Sequence, residues 1–154
     1  MARKSFRMGR FHSSRNCLIN MTIIQSKTTI DKPAAEVYTF LADLNNHQQL
    51  MPENIYNWSS TTDEARFTIQ NMAKLALKVS SRKQDQEIII IPSEEAPFPV
   101  ELKWTLNDAG NGTTEAVHTI SAELNMMMKM LASGPLQKLA DHQTFQLKNS
   151  LQNS

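Results

Sequence analysis

The chain has 154 residues, 40% hydrophobic and 20% charged, and a formal net charge of +1; this excludes fibrous and disordered classes and is sized for a single core. Arg3, Lys4, Arg7, Arg10 and Arg15 stand without an acid in residues 1–20, leaving 11 of the 16 bases against all 15 acids in the remainder, a mildly acidic body that argues against a nucleic-acid platform. Cys17 is the only cysteine, so no intrachain disulfide forms and a reducing, cytoplasmic compartment fits; no apolar run approaches the ~18 residues of a membrane span.

Met1 to Asn20 lacks a continuous apolar stretch and a small-residue cleavage site, so it is not a secretory signal. It reads as an extension outside the fold: sequence ahead of a start at Met21, a disordered basic tail, or a transit peptide. The domain is therefore placed at residues 21–154. Thr22 to Ile30, rich in Thr and Ile, predicts the first strand. Asp31, Lys32 and Pro33 end it. Pro33 suits a first helical position, and Glu36 sits where the helix dipole favours an anion. Val37, Phe40, Leu41 and Leu44 follow at helical spacing. A second helical piece through His47 to Leu50 stops ahead of Pro52, because the residue before a proline avoids helical geometry.

From Ile55 the pattern is that of strands. Phe67 and Ile69 share one phase, as do Leu75, Leu77 and Val79, with a joint near Asn71 to Lys74. Glu87 to Ile91 is a further strand, and Pro92, Pro97 and Pro99 mark a loop that central sheet excludes. Val100, Leu102, Trp104 and Leu106 alternate with polar residues. Asn107 to Gly112 is a turn by composition. Thr114 to Leu124 is the last strand, with Ala116, His118, Ile120, Ala122 and Leu124 in its apolar phase. Asn125 to Leu151 then predicts one long helix of ~40 Å, whose buried stripe is read as Met127, Leu131, Leu136, Leu139, Gln143 and Leu147.

One strand, two short helices, a run of antiparallel strands and a long last helix make an α+β chain. The segment Ile30-Asp31-Lys32-Pro33-Ala34-Ala35-Glu36-Val37-Tyr38-Thr39-Phe40-Leu41-Ala42-Asp43, with His47 and Met51-Pro52 after it, resembles the polyketide cyclase/dehydrase and lipid-transport superfamily, called SRPBCC or START-like. That resemblance implies the helix-grip fold, a curved antiparallel sheet of about six or seven strands around the C-terminal helix. It also implies a cavity between sheet and helix that takes hydrophobic ligands. Fold alone does not assign an activity.

Two of the six phenylalanines and two of the nine methionines precede Met21, so the folded part has four Phe against seven Met. Few large rigid side chains and many adaptable ones favour a compliant cavity. Its expected wall is Phe67, Leu77, Leu102, Trp104, Ile120, Met127, Met128, Leu131 and Leu139, with His118 and Gln143 as polar anchors; each of these also reads as ordinary core. His118 is expected beside Leu102 and Trp104, with Trp104 pairing near Ala116. No nucleophile elbow, phosphate loop or zinc helix motif is present, and His12, His47, His118 and His142 have no metal spacing. No cofactor is expected. Three readings follow: a binder of an apolar or amphipathic, lipid- or polyketide-like molecule, a cyclase or dehydratase acting through His118, and a protein-interaction module with a filled cavity. The expected partner is a hydrophobic small molecule.

Overall fold

The computed structural model describes residues 21–71, 73–96 and 98–152. The extension at residues 1–20, and Pro97 of the proline loop, lie outside the described residues. In chain order the elements are β1 (Met21–Ile30), α1 (Ala34–Leu41), a 3-10 helix (Leu44–Leu50), β2 (Ile55–Ser60), β3 (Glu64–Ile69), β4 (Ala73–Lys83), β5 (Glu87–Pro92), β6 (Val100–Gly110), β7 (Thr113–Glu123) and α2 (Met126–Gln152). The seven strands form one sheet in the order β1-β7-β6-β5-β4-β3-β2, every neighbour antiparallel. It curls into a half-barrel against the long helix, as the sequence implied.

Local chemistry explains the boundaries. Pro33 sits one residue earlier than expected, at the N-cap of α1, in extended geometry. Asp43 caps the 3-10 helix by accepting from the Asn45 amide at 3.0 Å. The β6–β7 turn is shorter than its composition implied: both strands continue into it, leaving Asn111 and Gly112 at φ 56° and 74°, the left-handed pair of a two-residue hairpin turn. A bulge between Asp108 and Gly110 shifts the register, so Trp104 lies opposite His118, while Ala116 faces Leu106. That corrects the expected Trp104–Ala116 pairing by two residues.

The helix α2 starts at a cap, Asn125 Oδ1 accepting from the Met128 amide at 2.8 Å. It lies along edge strand β1 and is tied there by side chains. Gln137 donates to the Gln25 carbonyl at 3.0 Å, Ser26 and Thr144 share a 2.8 Å bond, and Gln152 accepts from the Asp31 amide at 2.9 Å.

The buried stripe of α2 is Ala132, Leu136, Ala140, Gln143, Thr144, Leu147 and Leu151, not the stripe drawn from the large apolar residues. Leu136, Gln143 and Leu147 belong to both. Met127 and Leu131 point to solvent, 71% and 68% exposed, and Leu139 is half-buried on the flank. The cause is close approach: Ala132 and Ala140 stand where the helix meets the sheet, and small side chains fit there. Pro135, inside the helix, has no N–H to offer the Leu131 carbonyl, an omission tolerable at a solvent-facing position.

The core divides in two. The larger part draws on all seven strands, α1, the 3-10 helix and the C-terminal end of α2, around Trp104, Ile88 and Leu147; the smaller joins Ile24, Phe98, Ile120 and Leu124 to Ala132, Leu136 and Ala140. Between the sheet, the 3-10 helix and α2 lies a largely apolar cavity.

Candidate functional site

The cavity has a volume of about 30 Å³, room for a water-sized molecule. β3 and β4 give it Ala65, Phe67 and Leu77, and β5, β6 and β7 give Ile90, Leu102, Trp104 and His118. The 3-10 helix and its C-cap give Leu44, His47 and Met51, β2 gives Trp58, and α2 gives Leu139 and Gln143. Met51, Trp58, Leu102 and Leu139 are only half-buried, so they form the outer wall.

Its polar content is small and ordered. The Trp104 and His118 rings, directly opposite across β6 and β7, stack with centroids 4.1 Å apart and planes 12° from parallel. His47 meets Trp104 edge-on, at 6.5 Å and 86°. His118 Nε2 lies 2.8 Å from Gln143 Oε1, and Gln143 Nε2 donates to Met51 Sδ at 3.5 Å. His47 Nε2 donates to the Leu41 carbonyl at 2.8 Å. Trp58 stacks on Phe67 at 5.3 Å and donates its indole N–H to Ser60.

His118 is fully buried, and its Nδ1 has no hydrogen-bond partner. Burial pushes its imidazole down to about 3; the bond to Gln143 opposes this and His47 adds to it. The Lys103 backbone also opposes it, more weakly. Burial also lowers His47, against the Leu41 carbonyl and Asp43. Both rings are therefore neutral near pH 7, and among the described residues no carboxylate lines the cavity beside His118.

Of the residues expected at the site, Phe67, Leu77, Leu102, Trp104, His118, Leu139 and Gln143 line this cavity. Four do not. Ile120 points to the same side of the sheet but packs into the smaller core, and half-buried Met128 packs against that core as well. Met127 and Leu131 face outward, as the helix phase requires. Sequence reasoning missed Leu44, His47, Met51, Trp58, Ala65 and Ile90 at the wall. His47 and Met51 stood inside the motif of the resemblance, and Trp58 lies on a strand whose exposed neighbours hide its phase. Among the described residues no group of His, Cys, Asp and Glu is placed to hold a metal, and no helix is long and apolar enough to cross a membrane.

No protein-family model and no curated protein matches the chain. Solved structures do. An aromatase/cyclase from Streptomyces sp. R1128 matches with a TM-score of 0.67 at 12% identity, over 86% of this chain and 94% of its own. A START superfamily protein from Mycobacterium smegmatis matches at 0.62 and 15% identity, over 85% and 97%. The chain has the START-like helix-grip fold. A norcoclaurine synthase point mutant from Thalictrum flavum, in complex with a transition-state analogue, shares it at a TM-score of 0.62 and 9% identity, over 87% and 97%. At such identities the likeness is one of fold. Within that fold, the cavity lies between the curled sheet, the 3-10 helix and α2.

Proposed function

We propose that this helix-grip protein binds a small, largely apolar molecule in the cavity between the sheet and α2, and that it does so in a reducing, cytoplasmic compartment. The observation that carries the reading is the cavity itself, lined mainly by apolar and aromatic side chains, with His118, His47 and Gln143 as its few polar groups. Concave, mostly apolar enclosures with a few polar groups are where small molecules bind. The names of the aromatase/cyclase and norcoclaurine synthase neighbours support a small-molecule role for this chain by analogy of fold. At about 30 Å³ the enclosure is nearly filled, so a ligand larger than water enters by displacing the half-buried Met51 and Leu139. Both side chains are flexible, and Met adapts readily.

Catalysis draws no support from the site. A histidine with a pKa of about 3 is a poor base near neutral pH, and among the described residues its side-chain hydrogen bond is to Gln143, not to a carboxylate or tyrosine. Native mass spectrometry of the purified protein tests the proposal. The expected result is a small-molecule adduct, one per chain, released on denaturation. A chain at its bare mass, which also fails to take up apolar probes, would overturn it.

A second reading rests on a different observation. Met126, Met127, Met130 and Leu131 are 78%, 71%, 79% and 68% exposed on the first turns of α2, and adaptable methionine surfaces suit protein partners. A filled cavity with this face engaged is the interaction-module reading. A stoichiometric protein complex, with no small-molecule adduct, would bring it forward.

A further inference from the structure

We propose that this protein docks reversibly on an anionic lipid bilayer, through the exposed apolar side chains on the first turns of α2 and the basic extension that enters the fold beside them. The proposal stands apart from the cavity reading, and it commits the exposed helix face to a lipid surface instead of a protein.

Met126, Met127, Met130 and Leu131 are each more than two-thirds exposed, and they follow one another within about two turns of α2. Scattered single apolar residues are normal on any surface, but four large ones this close together mark a face that something covers. Three of the four are unbranched thioethers, which reshape around their surroundings and impose no fixed contour on a partner. A fluid apolar layer suits such a face, as it does for helices that lie in a membrane interface.

Charge selects the kind of layer. From Asn125 to Ala140 the sequence holds Lys129 and Lys138 and no Asp or Glu, and both lysines are exposed. The domain as a whole has 11 bases against 15 acids, so this half of the helix runs against the sign of the rest. Apolar side chains beside cations, with no acid among them, are the pattern that anionic headgroups attract. Protein interfaces are depleted in lysine, whereas Lys129 stands among these methionines.

The sheet brings a second stretch of the same character to this place. β1 starts at Met21, opposite Glu123 at the end of β7, and α2 begins three residues after Glu123. Residues 1–20 therefore join the domain about 5 Å across the ladder from the strand end that leads into α2. They carry Arg3, Lys4, Arg7, Arg10 and Arg15, with Phe6, Met8 and Phe11 between them and no acid. Two acid-free, partly apolar stretches from opposite ends of the sequence thus meet at one end of the fold.

Flotation of the full chain with vesicles of phosphatidylserine and phosphatidylcholine, against vesicles of phosphatidylcholine alone, tests the proposal. Binding to the mixed vesicles is expected to be tighter by about tenfold or more and to be released by high salt. A chain starting at Met21, and a full chain combining Met126→Ser, Met127→Ser, Met130→Ser and Leu131→Ser, are each expected to bind the mixed vesicles about tenfold or more weakly. If the fourfold variant does not fold, 13C-methyl-methionine spectra of wild type serve instead: a spin-labelled lipid in the mixed vesicles is expected to broaden Met126, Met127 and Met130 more than Met51. Equal binding to both vesicle types, binding unchanged by loss of the four apolar side chains, or equal broadening of all four methyls would overturn the proposal. So would failure to bind either vesicle, with or without a protein complex on this face. The cavity reading would stand in each case.

Discussion

Protonating His118 opposes folding, and the size of the effect follows from its environment. Its folded pKa of about 3 lies below the ordinary 6.5, so between those values the unfolded chain binds more protons than the native one. Stability therefore rises with pH through this window and is lost as pH falls from about 6.5 toward 3. Linkage puts the loss from this one group at about 2 kcal/mol between pH 7 and pH 5, and about 3 kcal/mol by pH 4. His47 is shifted in the same direction but is present in every variant, so it cancels in a comparison. The perturbation is His118→Gln, which removes the titrating ring and keeps a polar group facing Gln143. Urea unfolding followed by tryptophan fluorescence at pH 7, 6 and 5 gives the stabilities, and the slope against pH is the quantity compared. The variant's slope is expected to be shallower by about 2 kcal/mol over that range. Equal slopes would show that His118 is solvated or partnered in solution, and the argument from its buried ring would fail.

The remaining predictions concern the phase of α2 and the extension. Leu147→Ala is expected to cost about 2–5 kcal/mol, because a fully buried side chain leaves a void, while Leu131→Ser and Met127→Ser stay within about 0.5 kcal/mol; chemical denaturation separates them, and equal losses would refute the assigned phase. Ala140→Leu is expected to cost about 1–3 kcal/mol by pushing α2 off the sheet, with a stable variant of unchanged structure as the contrary result. A chain starting at Met21 is expected to melt with the full chain, since residues 1–20 hold no periodic apolar pattern; a clear drop in melting temperature would contradict this.

The architecture was legible because periods of 2 and 3.6 survive in the residue pattern. Val100 to Leu106 alternates cleanly, and the order of elements carried the resemblance that the fold bears out. The inner face of α2 was misread because size was taken as the sign of burial. Ala132 and Ala140 are buried by being small enough for close approach, and Met127 and Leu131 are large but lie across the helix from them. His118 was placed inward by parity. The register that stacks it on Trp104 depends on a bulge at Asp108 and Gly110, which no alternation of hydrophobicity records. Trp58 and Met51 reach the cavity through the fold of the chain between α1 and β3, where exposed and buried residues do not alternate.

Whether the cavity takes a molecule at all is tested most directly with 13C-methyl-methionine spectra during a titration with toluene. Met51, at the C-cap of the 3-10 helix, lies on the cavity wall, whereas Met126, Met127 and Met130 stand in solvent on the first turns of α2, so each of the two readings has its own reporter. The account predicts a saturable shift of the Met51 methyl with the three helix-face methyls unmoved. Shifts confined to Met126, Met127 and Met130, or an unmoved Met51 up to the solubility of the probe, would contradict it.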